Sequence, residues 1–107
     1  ESGKSPVEEW LLTLQTKQFE KCLWVLRLIE ELDRIPSEYF KKMESTDDLW
    51  EVRVQFGSNI FRILCFFDGA KLIMLTNGFA KKMQKTPKRE IDLAEQRKKD
   101  YFRRKSL

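Results

Sequence analysis

Two arginines in the middle of otherwise apolar, β-type segments are the first residues of this chain with a claim on chemistry. Arg53 stands in Leu49–Phe56 and Arg62 in Ile60–Phe67. A charge among strong β-formers needs a partner, because burying it alone is costly. Phosphate is one such partner, matched bidentately by guanidinium. A carboxylate on the neighbouring strand, such as Glu51, is another. A second group lies in Gly78–Pro87, where Lys81, Lys82 and Lys85 follow Phe79 and a helix start follows them. Ammonium groups and free helix N–H groups both favour phosphate, and Lys88 carries the positive charge into the helix. Phe79 can stack a base or plug the core; its position fits both. The chain contains no histidine, which excludes His-based triads, His metal sites and imidazole acid–base chemistry. Gly-rich phosphate loops, zinc spacings and EF-hand loops are absent from the sequence too. Asp47-Asp48 reads as a solvated turn. No metal and no cofactor are expected.

The elements that must position these cations read clearly. Ser5, Pro6 and Glu8 form an N-cap, a first helical position and an S-x-x-E capping box. Val7, Trp10, Leu11 and Leu14 then repeat at helical spacing. A second helix is expected from about Lys17 to Leu32, with Phe19, Cys22, Leu23, Leu26 and Ile29 on one side and Pro36 after its end. Leu49–Phe56 alternates as a strand, with Trp50, Val52, Val54 and Phe56 on one face and Glu51, Arg53 and Gln55 on the other. Gly57-Ser58-Asn59 supplies a turn into a strand over Ile60–Phe67, and Asp68-Gly69 signals a hairpin into Leu72–Thr76. This gives an antiparallel meander of three strands, interrupted at Asn77-Gly78. Thr86-Pro87 reads as the cap and first position of a last helix, from Lys88 to about Arg104. Its apolar side is thin (Ile91, Ala94 and Tyr101), so it is expected to be weakly held or bound to a partner. The fold class is α+β: an N-terminal helical hairpin on a twisted antiparallel sheet, followed by a basic C-terminal helix. A mid-strand arginine is expected on the face without helices, though the hairpin register decides whether Arg53 and Arg62 share it.

A chain of 107 residues, 41% hydrophobic and 36% charged, fits one folded domain over residues 1–107. No apolar run approaches a membrane span. Cys22 and Cys65 sit in apolar surroundings without CxxC spacing and read as buried free thiols. The net charge of +4 is uneven: residues 81–105 hold eleven basic side chains against four acidic ones, and the rest of the chain is slightly acidic. Such a positive pole favours a polyanionic partner.

Together, Leu49–Val54 (LWEVRV), Phe61-Arg62-Ile63, Leu75–Pro87 (LTNGFAKKMQKTP), Glu90-Ile91 and Ala94, with Gly3–Trp10 at the start, resemble the HigB-type, phage-protein-like branch of the RelE toxin superfamily. The resemblance covers nearly the whole chain. It implies the toxin of a type II toxin–antitoxin pair, a cytoplasmic protein that enters the ribosomal A site and cuts messenger RNA there without a metal. The ribose 2′-OH would attack the adjacent phosphorus and the 5′-oxygen would leave. A helix-turn-helix antitoxin would be the silencing partner; no membrane is involved, and no oligomeric state follows. Arg53, Arg62, Lys81 and Lys82 are the expected catalytic cations, with Lys85, Lys88 and Phe79 on the RNA. Relatives also begin with a further β-strand, expected here before residue 1, without which a sheet edge would be unpaired. Where relatives often carry a tyrosine after the second-strand arginine, this chain has Leu64, Cys65 and Phe66. Proton transfer then falls to Tyr101, by analogy with C-terminal tyrosines of relatives, or to a lysine whose pKa neighbouring cations lower. Two other readings compete: an RNA- or ribosome-binding module of the same fold with weak or no chemistry, and a structural protein whose last helix docks an acidic partner.

Overall fold

A computed structural model describes residues 5–69, 72–81 and 86–106. Its elements run α1 (Pro6–Leu11), α2 (Thr16–Glu31), β1 (Phe40–Lys42), β2 (Trp50–Phe56), β3 (Asn59–Asp68), β4 (Leu72–Lys81) and α3 (Lys88–Lys105). The first helix starts where its capping box places it. The Ser5 hydroxyl accepts from the Glu8 N–H at 3.1 Å, and the Glu8 carboxylate accepts from the Ser5 N–H at 3.5 Å. α1 is only six residues long, and Leu14 packs on the core from the linker beyond it. α2 stops at Leu32, whose backbone is extended.

The four strands form one antiparallel sheet in the order β1-β2-β3-β4. The sequence reading missed β1. Its three residues, Phe-Lys-Lys, are too few to display alternation, and what holds the strand is Phe40, which stacks on Trp50 with ring centroids 4.8 Å apart. β4 also runs past Asn77-Gly78 instead of breaking there. Gly78 is a packing glycine: a side chain on it would run into the indole of Trp10 from α1. Glycine inside a strand commonly marks such an approach. The irregularity in this part of the sheet falls at Leu64/Cys65, where the β3–β4 register shifts.

Both sheet faces carry packed side chains. On one, α1 and α2 cover Val52, Val54, Phe61, Ile63 and Cys65 with Val7, Leu11, Cys22, Val25 and Ile29. On the other, α3 covers Leu64 and Phe66, together with Leu49, through Ala94, Ile91 and Tyr101. β3 is therefore buried on both sides over Phe61–Phe66, as its apolar run, broken by Arg62, allows. Each large side chain so buried stabilises the fold by roughly 1.5–3 kcal/mol.

The last helix packs through the thin apolar side expected of it, with Ile91 and Tyr101 only partly buried, and polar contacts add to that hold. Ala94 is fully buried, and its small side chain lets the helix lie close to the sheet. Polar ties then fasten α3 along its length. Arg97 donates to the Thr76 carbonyl at 2.6 Å, and Asn77 donates to the Glu90 side chain at 2.9 Å. Lys98 pairs with Asp47 at 3.6 Å, while Tyr101 and Lys105 both donate to Asp68 at 2.6 Å. Among the described residues, no helix is long and apolar enough to cross a membrane.

Candidate functional site

The site is built on the face of the sheet that α3 covers in part. A two-residue turn, Gly57-Ser58, joins β2 to β3, because Phe56 pairs with Asn59; Gly57 takes the positive φ of 61° that the turn needs. That register sets Arg53 opposite Arg62, and the next pairing sets Arg62 opposite Phe79 of β4. The two arginines thus share one face, with Glu51 two residues before Arg53 on the same side.

Arg62 does not lie on an open surface. It is 5% exposed, and its guanidinium donates to one oxygen of the equally buried Glu51. The Arg53 guanidinium lies 3.8 Å from that same oxygen, and its side chain is 36% exposed. The other oxygen of Glu51 accepts from the Thr86 hydroxyl at 3.1 Å. This is why Thr86 is not the cap it resembles: its hydroxyl turns to Glu51, and Pro87 stands at the N-cap without a side-chain bond. Burial lowers the pKa of Arg62, Glu51 opposes that and nearby Arg53 adds to it. The guanidinium nonetheless stays charged, as arginine does in proteins. Its Nε is buried with no hydrogen-bond partner among the described residues.

The other expected site residues distribute as follows. Phe79, partly buried, packs against Leu64 and Ala94 of the second core cluster. Lys81 ends β4 opposite Ile60, and Lys82 and Lys85 lie outside the described residues. Lys88 is exposed on the first turn of α3, paired with Asp92 at 2.9 Å, and that bond raises its pKa. Tyr101 is not brought to the arginines. Its hydroxyl donates to Asp68, a bond that raises its pKa. Asp68 lies six residues along β3 from Arg62, roughly 20 Å away. Glu51 is the residue the sequence reading underweighted. Its alternation with Arg53 on β2 was the available signal.

The arrangement has a definite chemical capacity. A partly exposed guanidinium is aimed by a buried carboxylate, which a second arginine and a threonine hold in place. An oriented cation of this kind suits an anion with planar, bidentate acceptors. Cys22 and Cys65 contribute nothing to it: both are buried and free. Burial pushes the Cys22 thiol up to about 11 and moves Cys65 further in the same direction.

The described residues thus form an α+β fold: two N-terminal helices, a four-stranded antiparallel sheet and a C-terminal helix. Residues 9–99 match the model of the phage derived protein Gp49-like family (DUF891), and the chain belongs to that family. No curated protein and no solved structure matches the chain.

Proposed function

We propose that this protein is the toxin of a type II toxin–antitoxin pair and cleaves messenger RNA on the ribosome, in the cytoplasm. The observation that carries the reading is Arg53, a guanidinium one-third exposed and aimed by Glu51. Cleavage joins the ribose 2′-oxygen to the adjacent phosphorus while the bond from phosphorus to the 5′-oxygen breaks. The 2′-OH proton goes to a base, and the 5′-oxygen receives a proton as it leaves. Arg53 stabilises the charge that grows on the phosphate oxygens. Arg62, enclosed as it is, acts through Glu51 as a positioning residue. Lys81, Lys82, Lys85 and Lys88 supply further cations for the RNA backbone. A helix-turn-helix antitoxin is the proposed silencing partner.

The proton-transfer groups divide this reading from its rival. Tyr101 is tied to Asp68 at the far end of β3, so Glu51, between the arginines, is the nearer candidate among the described residues. The rival, an RNA- or ribosome-binding module without efficient chemistry, draws support from that same distance. A positioned acid or base is worth about 10²–10⁴-fold. Primer extension on transcripts from induced cells separates the two. Cleavage predicts new 5′ ends within translated regions and growth arrest, both lost in Arg53→Ala. Intact transcripts from a wild-type protein that still arrests growth would favour the binding module.

A further inference from the structure

Beside Arg53 lies a small cavity whose other walls have no part in the chemistry above. Its volume is about 210 Å³ and its walls are Lys21, Glu38, Tyr39, Arg53, Gln55 and Ile60. It arises because β1 begins only at Phe40 and pairs with Trp50–Val52, which leaves the Arg53–Phe56 half of β2 without a strand on that edge. Lys21 from α2 and Glu38-Tyr39 from the approach to β1 border that gap. Three properties mark it as a binding site. It is smaller than the roughly 300–1,000 Å³ of clefts for drug-sized ligands, a size for one flat ring system. One wall is an aromatic ring held in position: Tyr39 meets Trp24 edge-on with centroids 5.8 Å apart, and Lys21 lies 4.9 Å from the centre of the same indole. Two of its polar groups, Glu38 and Gln55, are exposed and open to a ligand.

We propose that this cavity holds a single unstacked guanine of the RNA, next to the phosphate that Arg53 contacts. The proposal rests on the RNA reading above and names the base beside the cut. Single-stranded RNA is read by splaying out bases, stacking them on aromatic rings and bonding their Watson–Crick edges. Glu38 is an ionised carboxylate and can only accept. Guanine is the base whose Watson–Crick edge offers two adjacent donors, N1–H and the 2-amino group, to such a carboxylate. Its O6 then takes a bond from the Gln55 amide or the Lys21 ammonium. Adenine has the same size and stacks as well, yet presents an acceptor at N1. Uracil presents one donor between two carbonyls.

The test is titration of the purified full chain with GMP, AMP and UMP, following the Tyr39 ring and Trp24 indole signals by NMR. GMP is expected to bind at least about tenfold tighter than AMP or UMP, in line with a good bidentate pair. Glu38→Gln should remove that preference while thermal unfolding stays unchanged, Glu38 being exposed. Equal binding of the three nucleotides, no saturable change at Tyr39, or a preference that survives Glu38→Gln would each overturn the proposal. Primer extension with the wild-type protein runs in parallel. Guanine preference with uncut transcripts leaves the subsite standing and removes the cleavage reading. Cut transcripts without guanine preference do the reverse.

Discussion

The carboxylate of Glu51 faces Arg62 and Arg53 with one oxygen and Thr86 with the other, so removing it strands a buried cation. Glu51→Ala should therefore destabilise the protein by about 3–5 kcal/mol in urea denaturation. Replacing both partners, with Glu51→Leu and Arg62→Met, should recover much of that loss, since an apolar pair of similar volume leaves no charge unpaired. A double variant no more stable than Glu51→Ala would show that the pair is not the unit described. The thiols make a second residue-scale prediction. Cys22, raised to about 11, and Cys65, raised by fuller burial, should resist alkylation at pH 8 until the protein unfolds. Rapid labelling of native protein would contradict their burial. Sequence showed that Arg53 and Arg62 needed partners and named Glu51 as one. It could not choose between carboxylate and phosphate, because that choice depends on a hairpin register. A three-residue turn over Gly57–Asn59 would have moved every β3 side chain to the other face; the two-residue turn puts Arg62 beside Glu51.

Elements behave as their contacts require. The backbone at Gly78 lies under Trp10, so Gly78→Ala should cost about 1–3 kcal/mol through overpacking, read as a lowered Tm. Adding Trp10→Leu should soften the penalty, and no penalty at all would mean that α1 does not press on β4. The end of α3 hangs on Asp68. Hydrogen bonds from Lys105 and then Tyr101 hold the Asp68 carboxyl below its usual range, and the bond to Asp68 raises Lys105. A lowered carboxyl contributes stability above its unfolded pKa of about 4, lost as pH falls through the folded value. A raised lysine contributes below about 10.5, lost as pH rises through its folded value. The last turns of α3 should thus show weaker protection against amide exchange, relative to the intrinsic rate at each pH, at either extreme than near neutrality. In Asp68→Asn they should exchange faster at neutral pH as well. Helix starts and long strands were legible because caps and alternation are local. β1 was not, being three residues long, and neither were the polar attachments of α3, whose partners are distant in sequence.

At the scale of the whole molecule, the chain is a sheet packed on both faces with its positive charge gathered toward the C-terminal third. The sequence reading expected one face to lie open for RNA. Instead α3 closes part of it, and among the described residues Arg53 on the sheet and Lys88 and Arg89 on the first turn of α3 remain accessible. If the partner is RNA, binding to programmed ribosomes should weaken steeply with salt, because each neutralised phosphate releases counterions. Flat salt dependence would point to a protein surface. The measurement closest to the central claim is single-turnover cleavage of messenger RNA on purified programmed ribosomes, with binding measured in the same samples. Arg53→Ala should keep most of its ribosome affinity and lose about 10²–10³-fold in cleavage rate, the usual effect of removing one group aimed at developing charge. A mutant that cuts as fast as the wild type, or a wild type that binds and leaves the transcript whole, would contradict the account.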